Sequence, residues 1–99
     1  MRRQDFGQRL LRAREVRGLL QDEVSQALTK QGLKVDATQL SKWESGHRFP
    51  RLDTFAALCK LYVVNGHWLL TGEGAMEFAP DDAAQRLADI IRIASTFTR

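Results

Sequence analysis

Thr38, Gln39, Ser41 and Lys42 stand together in one short stretch, Asp36 to Gly46, which reads DATQLSKWESG. They are neutral hydrogen-bonding side chains and one ammonium, the equipment needed to read base edges in a DNA groove. Lys42 can bond guanine O6 and N7, whereas Ala37 offers only a methyl for a thymine methyl. Arg48 and Arg51 follow closely, and guanidinium groups there suit gripping phosphates. Other chemistry finds less support. His47, His67 and Cys59 lack the short paired spacing of a metal site. No serine, histidine and carboxylate form a recognisable catalytic set, and no glycine-rich phosphate loop is present. The expectation is a protein that is not an enzyme and needs no cofactor or metal.

The element that must carry these groups is a short helix. Asp36 can cap it, and Gln39 can reach back to complete a capping box, which competes with base reading for the same side chain. Leu40 and Trp43 face a core. Gly46 suits a left-handed terminus, and Pro50 blocks continuation. Before it, a first helix runs from about Asp5 to Arg17, with Phe6, Leu10, Ala13 and Val16 or Arg17 inward and Gly18 as the stop. A second begins near Gln21, with Val24, Ala27 and Leu28 inward and Leu20 as a poor cap. The connector through Gly32 tucks Leu33 or Val35 inward. A fourth helix spans about Leu52 to Tyr62, with Leu52, Phe55, Ala56, Cys59 and either Leu58 or Tyr62 as its stripe. Asn65 caps a fifth, Gly66 to Thr71, closed by Gly72. Trp43, Trp68 and Phe55 read as core aromatics, and Cys59 as a small hydrophobe. After a linker, Asp81 or Asp82 starts a last helix.

The chain has 99 residues, 43% of them apolar and 27% charged, a composition typical of a soluble globular domain. No apolar run approaches the ~18 residues that span a bilayer. The first residues have no apolar segment behind them, so a signal peptide is not expected. One cysteine allows no internal disulfide and fits a reducing cytoplasm. Charge is uneven. Through Arg51 there are eleven basic against six acidic side chains, a net of +5; beyond it four basic face six acidic, a net of −2. A polyanion partner on one side is the simplest implication.

The order of parts resembles the Cro/cI-type (lambda-repressor-like, XRE) helix-turn-helix family of bacterial and phage regulators. The resemblance lies in Gln21-Asp22-Glu23-Val24, Leu40-Ser41-Lys42-Trp43-Glu44-Ser45-Gly46 with Pro50, Leu52-Asp53-Thr54-Phe55, and Trp68-Leu69-Leu70-Thr71-Gly72-Glu73-Gly74. It covers roughly Phe6 to Gly74. It implies an all-α fold, a five-helix bundle over residues 1–74, followed by a linker at 75–80 and a C-terminal helix at 81–99. It places Ala37, Thr38, Gln39 and Lys42 at base-reading positions, and Gln21, Ser41, Arg48 and Arg51 along the DNA backbone. It makes Arg14 and Glu44 a structural ion pair. The connector between Leu28 and Asp36 is longer than the family's usual turn, a departure that bears on how the third helix is held.

The implied function is a phage or bacterial repressor in the cytoplasm, at the nucleoid, binding a pseudo-palindromic double-stranded DNA operator as a homodimer. Leu87, Ile90, Ile91, Ala94 and Phe97 of the last helix would form the dimer contact, or that helix would cover the bundle of its own chain. Arg2 and Arg3 would be an arm on DNA or an idle terminus. The alternative function is an antitoxin or adaptor whose main partner is another protein. No membrane partner is expected.

Overall fold

The computed structural model of the protein describes residues 2–77. Within them are five helices: α1 (Arg3–Val16), α2 (Gln21–Lys30), α3 (Ala37–Glu44), α4 (Leu52–Tyr62) and α5 (Gly66–Thr71). No strand is present among the described residues; one isolated antiparallel bridge joins Val64 to Glu77. The last helix, with Leu87, Ile90, Ile91, Ala94 and Phe97, lies outside the described residues.

The helix ends follow local chemistry. Asp36 and Gln39 form the full capping box: Asp36 Oδ1 accepts from the Gln39 N–H at 2.7 Å, and Gln39 Oε1 accepts from the Asp36 N–H at 3.1 Å. At α2, Leu20 has no acceptor to offer, so only the reciprocal half forms, with Glu23 Oε1 accepting from the Leu20 N–H at 2.8 Å. α3 ends in a Schellman turn in which the His47 N–H donates to the Lys42 carbonyl at 2.9 Å. Gly46 takes the required left-handed conformation, with φ +82°. α4 ends the same way, the Val64 N–H donating to the Cys59 carbonyl, but there a β-branched residue, Val63, occupies the left-handed position with φ +55°.

The core collects one stripe from each helix. Phe6, Leu10 and Ala13 of α1 meet Val24 and Leu28 of α2, and Leu40 and Trp43 of α3. Val16 and Arg17 both stay outside, the first half exposed. Both Val35 and Leu33 turn inward, Val35 fully and Leu33 in part. The face of α4 differs from the expected one. Leu52 is 85% exposed and Ala56 is exposed, while Thr54, Ala57, Leu58 and Tyr62 are buried and Phe55 and Cys59 are half-buried. Asp53 and Lys60, seven residues apart, mark one polar side of α4, and Leu52 and Ala56 turn outward with them; the opposite side, with Thr54, Leu58 and Tyr62, faces the core.

Two arginines, Arg9 of α1 and Arg17 just past its end, close the termini of other helices. Arg9 donates to the Leu69 and Leu70 carbonyls at 2.9 and 2.8 Å, at the end of α5. Arg17 donates to the Tyr62 carbonyl at 2.6 Å, at the end of α4, and faces Glu77 at 3.6 Å. Cations at helix C-termini satisfy orphan carbonyls and complement the dipole. The chain after α5 returns to the bundle, where the Asn65 N–H donates to the Met76 carbonyl at 2.9 Å.

Candidate nucleic-acid interface

α3 is buried along one side by Leu40, Trp43 and Glu44. Its other side is solvent-facing: Thr38, Gln39, Ser41 and Lys42 are exposed and Ala37 is half-buried. Thus the side chains singled out in the sequence share one open face, and none is walled off. Beside that face runs a concavity of about 800 Å³, bounded by Gln21 at the start of α2, by Ala37, Thr38, Ser41 and Lys42, and by Ser45, His47 and Arg48 beyond the end of α3. Its lining includes Lys42 and Arg48 and contains no carboxylate. Arg51 is exposed farther along the loop, its Nε 3.9 Å from Asp53. In the mostly exposed setting of both side chains that pairing contributes little.

One buried network sets the pose of α3. Glu44 Oε2 accepts from Arg14 Nε at 2.7 Å, and Oε1 accepts from Arg14 Nη2 at 3.1 Å. Gln21 Nε2 donates to the same Oε1 at 2.9 Å. Arg14 Nη1 closes the set on the Leu19 carbonyl at 2.9 Å. The pair side chains are only 13% and 5% exposed. The bond to Glu44 holds the Arg14 guanidinium above its ordinary pKa. α1, the turn, α2 and the end of α3 are therefore tied through one carboxylate. Gln21 has two amide hydrogens; one goes to Glu44, and the side chain still borders the concavity.

α1 also approaches α3 without a side chain between them. A Cβ added at Gly7 would overlap the Glu44 carbonyl and stand 2.7 Å from the Trp43 carbonyl oxygen. At the other end, the Gln39 oxygen is committed to its capping bond, so only the amide hydrogens remain for a ligand. Phe49, half-way out of the core, packs on Phe6 at 5.1 Å between ring centroids and lies under Arg3 at 5.9 Å.

Three residues join the face that sequence reasoning did not place there. Ser45 and His47 border the concavity, with Ser45 Oγ 2.7 Å from His47 Nδ1. Lys34, from the α2–α3 connector, borders the opposite flank of α3. The position of Ser45 and His47 was implicit in the Gly46 turn, which folds the chain back beside α3; that of Lys34 depended on the path of the connector.

A helix packed on the preceding helix, open on one face and bordered by cations, is the arrangement expected of a helix-turn-helix unit. The chain belongs to the helix-turn-helix domain family, whose model matches residues 7–75. It is similar to an HTH-type transcriptional activator, BcrR, of Enterococcus faecalis, 28% identical over 86 residues. That match takes in 87% of this chain and 40% of the relative, so the chain spans less than half the length of that relative. No solved structure matches. No helix among the described residues is long and apolar enough to cross a membrane.

Proposed function

We propose that the protein is a sequence-specific double-stranded-DNA-binding transcription regulator that presents α3 to the major groove in a lambda-repressor-like arrangement. The observation that carries this reading is the exposed row of Thr38, Ser41 and Lys42 on a helix whose other side is buried, beside a concavity lined by cations without a carboxylate. Lys42, Thr38 and Ala37 read base edges, and Gln39 adds its amide hydrogens. Gln21, Ser41, Arg48 and Arg51 hold the backbone. Base contacts contribute on the order of 1–3 kcal/mol each in selectivity, and phosphate contacts supply most of the affinity.

A domain of this kind acts most simply as a repressor, covering a promoter as a homodimer on a pseudo-palindromic operator, with dimerisation through the last helix. Activation is a second reading, favoured by the name of the Enterococcus faecalis relative. Selection of bound duplexes from a random pool tests the first reading directly. A two-fold symmetric consensus is expected; an asymmetric one argues against the dimer. Lys42→Ala should relax preference at one base pair, while Arg51→Ala weakens binding to operator and random duplex alike. Equal losses on both duplexes for both variants would contradict this division of roles.

A further inference from the structure

The flank of α3 turned away from Gln21 carries a second concavity, of about 310 Å³. Lys34 of the connector, Gln39 and Lys42 of α3, and Arg48 and Arg51 of the following loop border it, over a floor that includes buried Trp43. Four cations line one small volume, and no carboxylate does. Of the neighbouring acids, Asp36 accepts from the Gln39 N–H and Asp53 lies 3.9 Å from Arg51 Nε, and neither lines the concavity. Lys34, Lys42 and Arg48 form no ion pair among the described residues. Like charges gathered this way repel, and an anion supplied from outside relieves the repulsion.

Lys34 is not on a loosely held loop. The next residue, Val35, is buried, and its carbonyl accepts from Ser25 Oγ of α2. Asp36 is fixed by the capping box. On the other side, the Leu33 N–H donates to the Leu28 carbonyl at 3.0 Å, closing the end of α2. The connector thus sets its ammonium beside α3 with both neighbours anchored. The first concavity lies along one flank of α3 and this one along the other, with Lys42 on the ridge between them. The major groove is about 12 Å wide and is bordered by the backbones of two strands. A helix seated in it meets one strand on each flank.

We infer that the second concavity is a separate phosphate-binding site, in which Lys34 and Arg51 receive a backbone phosphate of the strand opposite to the one met at Gln21. This rests on the DNA-binding reading above and assigns the connector a role of its own in it. The test is binding of a labelled random-sequence duplex by the full chain across a salt series, with Lys34→Gln and, as a control, Lys60→Gln. Lys60 is exposed on α4 and borders neither concavity. Far-ultraviolet circular dichroism confirms that each variant is folded. Lys34→Gln should lower the magnitude of the salt slope by about 0.9 and weaken binding about five- to tenfold near 0.1 M salt, with Lys60→Gln unchanged. An unchanged slope in Lys34→Gln, or an equal fall in both variants, overturns the inference while leaving the DNA-binding reading intact. Absence of duplex binding by the unaltered chain overturns the reading itself. Titration with inorganic phosphate alone separates the source of the anion: saturable binding lost in Lys34→Gln, with an unaltered duplex slope, identifies a small-anion site and rejects the DNA assignment.

Discussion

Glu44 accepts three hydrogen bonds in a nearly dry setting, two from Arg14 and one from Gln21. Glu44→Ala leaves the Arg14 guanidinium buried without its partner, which costs about 3–5 kcal/mol. Denaturant unfolding should show that loss, and the paired change Arg14→Met with Glu44→Leu should recover much of it. Tyr62 sits close to the same network. It is fully buried, and its hydroxyl has no hydrogen-bond partner among the described residues. Burial, reinforced by Glu44 and opposed by Arg14, holds its pKa well above the ordinary phenol value of 10.0. The sign follows from proton binding. Above pH ~10 the unfolded chain gives up the phenolic proton while the folded chain keeps it, so the unfolded state gains and stability falls. This contribution is intact below the unfolded pKa and lost as pH rises through the folded one. Tyr62→Phe should therefore flatten the alkaline limb of a Tm-against-pH curve with little loss at neutral pH; an unaltered limb would count against the assignment. Val63 holds a left-handed backbone that costs a β-branched residue about 1–2 kcal/mol. Val63→Asn keeps that conformation at lower cost and should raise Tm by a few degrees.

At the scale of the elements, α3 is short and depends on its ends. Asp36→Ala removes the acceptor for the Gln39 N–H and should cost on the order of 1 kcal/mol, measurable by thermal unfolding. The distance between α1 and α3 is fixed by the absence of a side chain at Gly7. Gly7→Ala drives a methyl into the Glu44 and Trp43 carbonyls, which cannot yield as a flexible side chain would. The expected result is a destabilisation of about 1–3 kcal/mol together with weakened duplex binding, because α3 must move outward; a variant as stable as the parent would show that the two helices have room to spare. Both devices were unequal in legibility. The capping box and the Gly46 stop are local and readable from Asp36, Gln39 and Gly46. The Gly7 contact joins residues far apart in sequence, and nothing near Gly7 announces it. α4 makes the same point from the other side. Its bounds were legible, but its inward face was misread, because Leu52 and Ala56 carry the apolar surface round onto the side marked polar by Asp53 and Lys60.

At the scale of the whole molecule, the basic excess of the first half is not all available to a polyanion. Arg9, Arg14 and Arg17 are turned back onto carbonyls and carboxylates of the bundle. Among the described residues, the cations that line the concavities beside α3 are Lys34, Lys42, Arg48 and Arg51. Hence Arg12→Gln, exposed on α1 and bordering neither concavity beside α3, should leave the salt dependence of duplex binding unchanged, whereas Arg48→Gln should lower the slope by about 0.9. A fall in Arg12→Gln equal to that in Arg48→Gln would mean that diffuse charge, not the face of α3, binds DNA. The sequence by itself determined the five helices, the caps of α3 and α5 and the open row Thr38, Ser41, Lys42, because hydrogen bonding between near neighbours and helical periodicity are local properties. Only the tertiary structure decided which arginines are spent internally, which side of α4 is buried and where Lys34 stands. Each of those depends on which distant carbonyl, carboxylate or apolar surface packing brings within a few ångströms.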